Sequence, residues 1–147
     1  MHPFEESGLG RPPYRLIRLK ICDPMTRCDY CGTRVRRRFI CKSADAKQFG
    51  VGCDCIAKVE RPGSALRMEV EEAEKARQAA ELAERVKRAK DVLARNTKLL
   101  RNTKHPMRPG ETMRDYVEYV FEHGGAKKRA YVCKIVEDAL TKGTKRK

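Results

Sequence analysis

The sequence predicts an α+β protein: an N-terminal zinc-ribbon or treble-clef-like β-hairpin module, then a long helix, then a C-terminal helical hairpin. Three observations predict it. Cysteines with metal-ligand spacing bracket two alternating stretches in the first third of the chain. Ala, Glu, Lys and Arg dominate an unbroken stretch from Ser64 to about Arg101, and two amphipathic segments joined by Gly124-Gly125 close the chain. The segments are residues 1–62 (zinc-binding β module with an irregular leader), 63–104 (long charged helix) and 105–147 (helical hairpin with a basic tail).

Each element has its own signal. Residues 1–13 carry Pro3, Gly8, Gly10, Pro12 and Pro13 and read as irregular. Arg15 to Cys22 alternates, with Ile17, Leu19 and Ile21 on one face of a strand. Arg34 to Cys41 alternates too, with Val35 and Phe39 on one side and Arg34, Arg36 and Arg38 on the other. Ser43 to Ala46 is turn-like, Gln48 to Gly52 is the returning strand, and Ile56 to Glu60 starts a short helix that Pro62-Gly63 stops. Ser64 caps the long helix, and acidic residues in its early turns suit the helix dipole. Leu82, Val86, Ala89, Leu93, Asn96 and Leu100 form a narrow seam on it, better suited to packing on the C-terminal helices than to a coiled coil. His105-Pro-Met-Arg-Pro-Gly breaks the helix. Thr112 caps Met113 to Glu122, whose Met113, Tyr116, Val117, Val120 and Phe121 face Tyr131, Val132, Ile135, Val136 and Leu140 of the last helix.

Cys28-x2-Cys31-Gly32 is the strongest chemical signal. Two thiolates two residues apart can grip one ion, and a glycine after the second lets the backbone turn sharply. Cys53-x-Cys55, at the start of a helix, supplies a second pair, because a helix N-terminus favours thiolate over thiol. Cys28, Cys31, Cys53 and Cys55 are thus the expected ligands of a structural Zn2+; a rival set replaces Cys53 with Cys22 or Cys41. Cys133 falls on the apolar face of the last helix and reads as core. The segments C-D-Y-C-G-T-R-V and F-G-V-G-C-D-C-I-A-K, across residues 28–58, resemble small, mostly uncharacterised zinc-knuckle proteins of bacteriophages and prophages. The resemblance implies a zinc fold and a phage-like setting, and carries no established activity. In some members the position matching Cys53 is not cysteine.

Charge indicates the partner. The net charge is +14. Residues 1–62 hold 13 Lys and Arg against 7 Asp and Glu, and residues 63–147 hold 21 against 13, so both halves are basic. Nucleic acid is the expected partner, DNA or RNA, with an acidic protein surface next. Arg34, Arg36 and Arg38 project from one strand face, roughly 6.8 Å apart. The long helix is acidic over 69–84 and basic over 85–108, which offers Lys87 and Arg88. Lys127, Lys128 and Arg129 follow Gly124-Gly125 at a helix start, where cations oppose the dipole and a phosphate would be welcome. With 6% aromatic residues, contacts would be to phosphates rather than by base stacking.

Other classes fit poorly. The chain has no Walker loop, G-x-S-x-G or H-E-x-x-H, and its three histidines fall in a leader, a linker and a helix end, so it does not read as an enzyme and needs no small-molecule substrate. Met1 to Gly10 lacks a basic start and an apolar run, and no stretch approaches a membrane span. The expectation is a cytoplasmic protein, in the bacterial host if phage-encoded. A sequence-tolerant nucleic-acid binder is the first expectation; a phage-type module that docks on and modulates or inhibits a host protein complex is the second.

Overall fold

The structure, a computed structural model, describes residues 1–144. It is a mixed α+β protein made of two compact units, Met1–Arg77 and Gln78–Lys147. The elements in order are α1 (Pro3–Glu6), β1 (Arg15–Arg27), β2 (Arg34–Lys42), β3 (Gln48–Val51), α2 (Cys53–Val59), α3 (Ala65–Arg95), α4 (Met113–His123) and α5 (Ala126–Thr144). The boundary between the units falls within α3, because Leu66 and Val70 are buried in the first core while Ala89 and Leu93 are buried in the second. Among the described residues, no helix is long and apolar enough to cross a membrane.

In the first unit the three strands form an antiparallel sheet in the order β1-β2-β3. Opposed residues share a face, so the register sorts the side chains. Leu19 lies opposite Phe39, Leu16 opposite Cys41, Phe39 opposite Val51 and Cys41 opposite Phe49. This apolar face packs on Ile56 of α2 and on Leu66 and Val70 of α3. The other face takes the even-numbered residues of β2. One expectation for β1 fails: Ile17 and Ile21 are 46% and 52% exposed. A register shift between Leu16 and Arg18 puts an extra residue, Ile17, into β1, so Leu16 and Leu19 both turn inward and Ile17 does not; Ile21 shares the face of Leu19 but lies opposite the exposed Arg37.

The leader is more ordered than its composition suggests. Pro3–Glu6 makes one helical turn, capped by the His2 ring, which accepts from the Phe4 N–H. Phe4 is wholly buried against Tyr14, Tyr30 and Phe49, with ring centroids 5.2–5.5 Å apart in edge-on contacts. Burying such a ring stabilises by roughly 2 kcal/mol, enough to hold a short segment with no periodicity of its own. Glu69 of α3 secures the edge strand, accepting from the Leu16 N–H at 2.7 Å and from Arg15.

In the second unit, α3 ends at Arg95, six residues before the expected stop. Arg114 supplies the reason. Only 8% exposed, its guanidinium donates to the carbonyls of Leu93, Asn96 and Thr97 at 2.9–3.0 Å and to Glu118 at 2.8 Å. Leu93 is among the last carbonyls of α3, which a helix end leaves without partners, and Asn96 and Thr97 belong to the turn that follows. The seam packs as expected at Ala89 and Leu93, with Val86 and Leu100 at its margin, whereas Asn96 is exposed. On α5 the packing face is Val132, Cys133 and Val136. Tyr131 and Leu140, expected on it, are 60% and 40% exposed. The basic tail Thr141 to Lys147 lies partly outside the described residues.

Thr112 caps α4 in a reciprocal box with Asp115: the Asp115 N–H donates to the Thr112 hydroxyl, and the Thr112 N–H to the Asp115 carboxylate. Hydrogen bonds from Thr112 hold the Asp115 carboxyl below the usual carboxylate range. A lowered folded-state pKa gives stability that is present at neutral pH and is lost as pH falls through that value. Loss of the helix cap in Thr112→Ala should cost about 1 kcal/mol in urea unfolding at pH 7, and the deficit should shrink in acid as Asp115 protonates in the wild type.

Candidate metal centre

The knuckle turns as its glycine requires. Gly32 sits at φ +73°, a conformation costly for residues with a Cβ, and its N–H donates to the Cys28 carbonyl at 2.9 Å. The Cys28 N–H in turn donates to the Thr33 carbonyl at 2.8 Å. Both thiols of the pair are thereby carried on one tight turn. Cys55 comes from the first turn of α2, directly after β3.

Asp29 brings the two halves together. Its N–H donates to the Gly50 carbonyl at 2.9 Å, and its carboxylate accepts from the Gly50 N–H and from Arg38, each at 2.6 Å. The knuckle is thus clamped to β3 three residues before Cys53. Arg38 lies across Gly50 so closely that a Cβ there would overlap its guanidinium.

Three thiols converge as a result. The Sγ atoms of Cys28, Cys31 and Cys55 all lie within 4.8 Å of one another, Cys28 to Cys55 at 3.7 Å and Cys55 to Cys31 at 3.3 Å. With metal–sulfur bonds of about 2.3 Å, a tetrahedral ion has sulfurs about 3.8 Å apart. The donor set thus fits a soft divalent ion after small adjustments, and these three cysteines could hold one. Cys28 is 2% and Cys55 7% exposed, while Cys31 faces solvent. Hydrogen bonds from Thr33 lower the Cys31 pKa, whereas burial, followed by bonds to the other two thiols, raises that of Cys55. Metal binding must expel the Cys55 proton, so affinity falls as pH falls.

The other cysteines stand apart from this group. Cys53 is the first residue of α2, and its thiol donates to Asp54 at 3.6 Å. Successive helical residues turn by about 100°, so Cys53 and Cys55 point some 200° apart. Cys55 joins the knuckle thiols, whereas Cys53 lies outside their 4.8 Å group, on the wall of the cavity beside it. Cys22 and Cys41 are buried and bond to the carbonyls of Lys20 and Phe39 two residues back. Burial pushes the Cys41 thiol up to about 12, a value suited to a core residue. Cys133 is fully buried in the second core.

The basic residues divide between the units. On β2, Arg34 and Arg36 are exposed, as expected. Two acids absent from the linear reading meet this row: Asp23 pairs with Arg36 at 3.6 Å, and Asp29 with Arg38. Arg38 is thereby a clamp on the knuckle as well as a cation. The register adds residues the linear reading passed over: Lys20 lies opposite Arg38, Arg27 opposite Arg34, and Arg18 opposite Ile40. Arg18, Lys20, Arg27 and Lys42 are all exposed on the same face as Arg34 and Arg36. For Arg18 and Lys20 the stretch R-L-I-R-L-K is a signal, but only the pairing aligns them with β2. In the second unit, Lys87, Arg88, Lys127 and Lys128 are exposed and Arg129 is half-buried. Lys87 and Arg129 line a cavity with Lys90, Asp91 and the Gly124-Gly125 turn.

Cys28→Ser should abolish metal binding and unfold the first unit, because in small metal modules binding energy is folding energy. Cys53→Ser should leave both metal content and circular dichroism unchanged. Metal analysis of the two purified variants separates three convergent ligands from four. Gly50→Ala should destabilise by roughly 1–3 kcal/mol through overpacking against Arg38, and adding Arg38→Ala should recover part of that loss in denaturant unfolding.

Comparison of the chain with family models, with curated proteins and with solved structures finds no match.

Proposed function

We propose that the first unit is a zinc-ribbon-like module whose basic sheet face binds the phosphate backbone of nucleic acid, with Cys28, Cys31 and Cys55 holding Zn2+ as a structural ion. The residues' spacing, their sulfur chemistry and the resemblance to phage zinc-knuckle proteins support zinc. When bound, zinc crosslinks the knuckle to α2 and adds folding free energy to a small core.

One observation carries the nucleic-acid reading: the crowding of like charges across the sheet. Arg27 lies directly opposite Arg34, and Lys20 directly opposite Arg38. Like charges in opposed positions destabilise a sheet. With Arg18, Arg36 and Lys42 they make a face on which the acidic ion-pair partners, among the described residues, are Asp23 and Asp29. Such self-repulsion is relieved when a polyanion neutralises it, and the released counterions supply affinity. Phosphate contacts position without selecting sequence, so the binding is sequence-tolerant. Lys87, Arg88, Lys127, Lys128 and Arg129 offer a further set of contacts in the second unit.

The test is binding of the zinc-loaded protein to a labelled random duplex across a salt series. Affinity should fall log-linearly with salt, and the triple change Arg18→Ala, Lys20→Ala, Lys42→Ala should reduce the slope by about 2 to 3. Those exposed residues should be removable at little cost to stability. Absence of duplex and single-strand binding at low salt would overturn the reading and leave the face to an acidic protein partner.

A further inference from the structure

The thiol cluster is closed on one side and accessible on the other. Cys28 is buried, but Cys31 and Cys55 line a cavity of about 430 Å³. Its walls include Tyr30, Thr33, Arg36, Arg37 and Lys58, with Cys53 and Asp54 at the helix start. A cavity of that size lies at the small end of the range for ligand sites. Among the described residues, no fourth His, Cys, Asp or Glu donor atom falls within the 4.8 Å group. Cys53 lines the same cavity, but its thiol lies outside that group and donates to Asp54. A four-coordinate ion on three protein thiolates keeps one position for an outside ligand.

The cavity also indicates what kind of ligand. An ion held by three thiolates favours a further soft sulfur donor. Around the cavity stand three cations. Arg36 and Arg37 are each shared with one acid, Asp23 and Glu74, while Lys58 forms no ion pair with a described residue. We propose that the fourth coordination position at Cys28, Cys31 and Cys55 opens into this cavity and takes a small anionic thiol. Its sulfur would bond to the metal in place of water as its proton leaves to solvent, and its anionic group would meet Lys58. The proposal rests on the metal reading of the three cysteines and is independent of nucleic-acid binding.

The test uses the full chain loaded with Co2+, whose thiolate charge-transfer absorption reports metal–sulfur bonds. Wild type and Cys53→Ala should show the same intensity per bound metal. Titration with 2-mercaptoethanesulfonate should raise it saturably by about a third, as three sulfurs become four. The neutral 2-mercaptoethanol should require several-fold higher concentration, and Lys58→Ala should remove that difference. An intensity about a quarter lower in Cys53→Ala would make Cys53 the fourth ligand and overturn the proposal. A wild-type spectrum that neither thiol moves would overturn it as well, even if the variant fails to fold. Wild-type protein that binds no Co2+ or Zn2+ would instead remove the metal reading beneath it, an outcome distinct from a loaded but unresponsive site.

Discussion

Everything in the first unit that brings chemistry together passes through Asp29. The residue sits between the two cysteines of the knuckle and bonds Gly50 through both its backbone and its carboxylate. Gly50 precedes Cys55 by five residues. One short set of hydrogen bonds therefore sets the distance between Cys28 and Cys31 on one side and Cys55 on the other. Bonds of this kind, from backbone amide and guanidinium to a carboxylate, are the stronger ones available to a protein. Arg38 completes the set by donating to the same carboxylate, so the basic face and the thiol cluster share a residue.

This sharing makes the cations of β2 unequal. In the linear sequence Arg34, Arg36 and Arg38 are three equivalent cations at alternate positions. In the fold they are unequal: Arg38 is drawn over Gly50 and neutralised, Arg36 has an exposed partner, and Arg34 faces Arg27 across the strand pair. The cations free to meet a polyanion are as much those of β1 as those of β2. An exposed ion pair such as Arg36 with Asp23 contributes little stability and yields readily to a phosphate.

The second unit applies the same economy with different chemistry. Its apolar face is short, and Arg114 converts a helix end into a packed joint by taking one carbonyl of the last turn of α3 and two of the turn after it. A buried arginine costs desolvation, offset here by four hydrogen bonds, one of them to Glu118. The exposed tyrosines 119 and 131 fall outside the packed face of the helical hairpin.

The sequence by itself determined the elements and much of the donor set. Period-two and period-3.6 patterns located the strands of the hairpin, the long helix and the two C-terminal helices, and Thr112 announced its cap, because these are local properties of consecutive residues. Cys28-x2-Cys31-Gly32 declared a metal knuckle for the same reason. Tertiary structure decided the rest. Which cysteine of the second pair turns to the knuckle depends on where α2 begins, and a spacing of one residue does not state that. The bulge that turns Ile17 outward arises from pairing with β2, and the burial of Phe4 arises from rings that meet only after folding. Arg114 looks like any surface arginine of an amphipathic helix until carbonyls at and just after the end of α3, 17 to 21 residues earlier, come within reach. Contacts between residues distant in sequence leave no periodic trace, and both the thiol cluster and the aligned cations are of that kind.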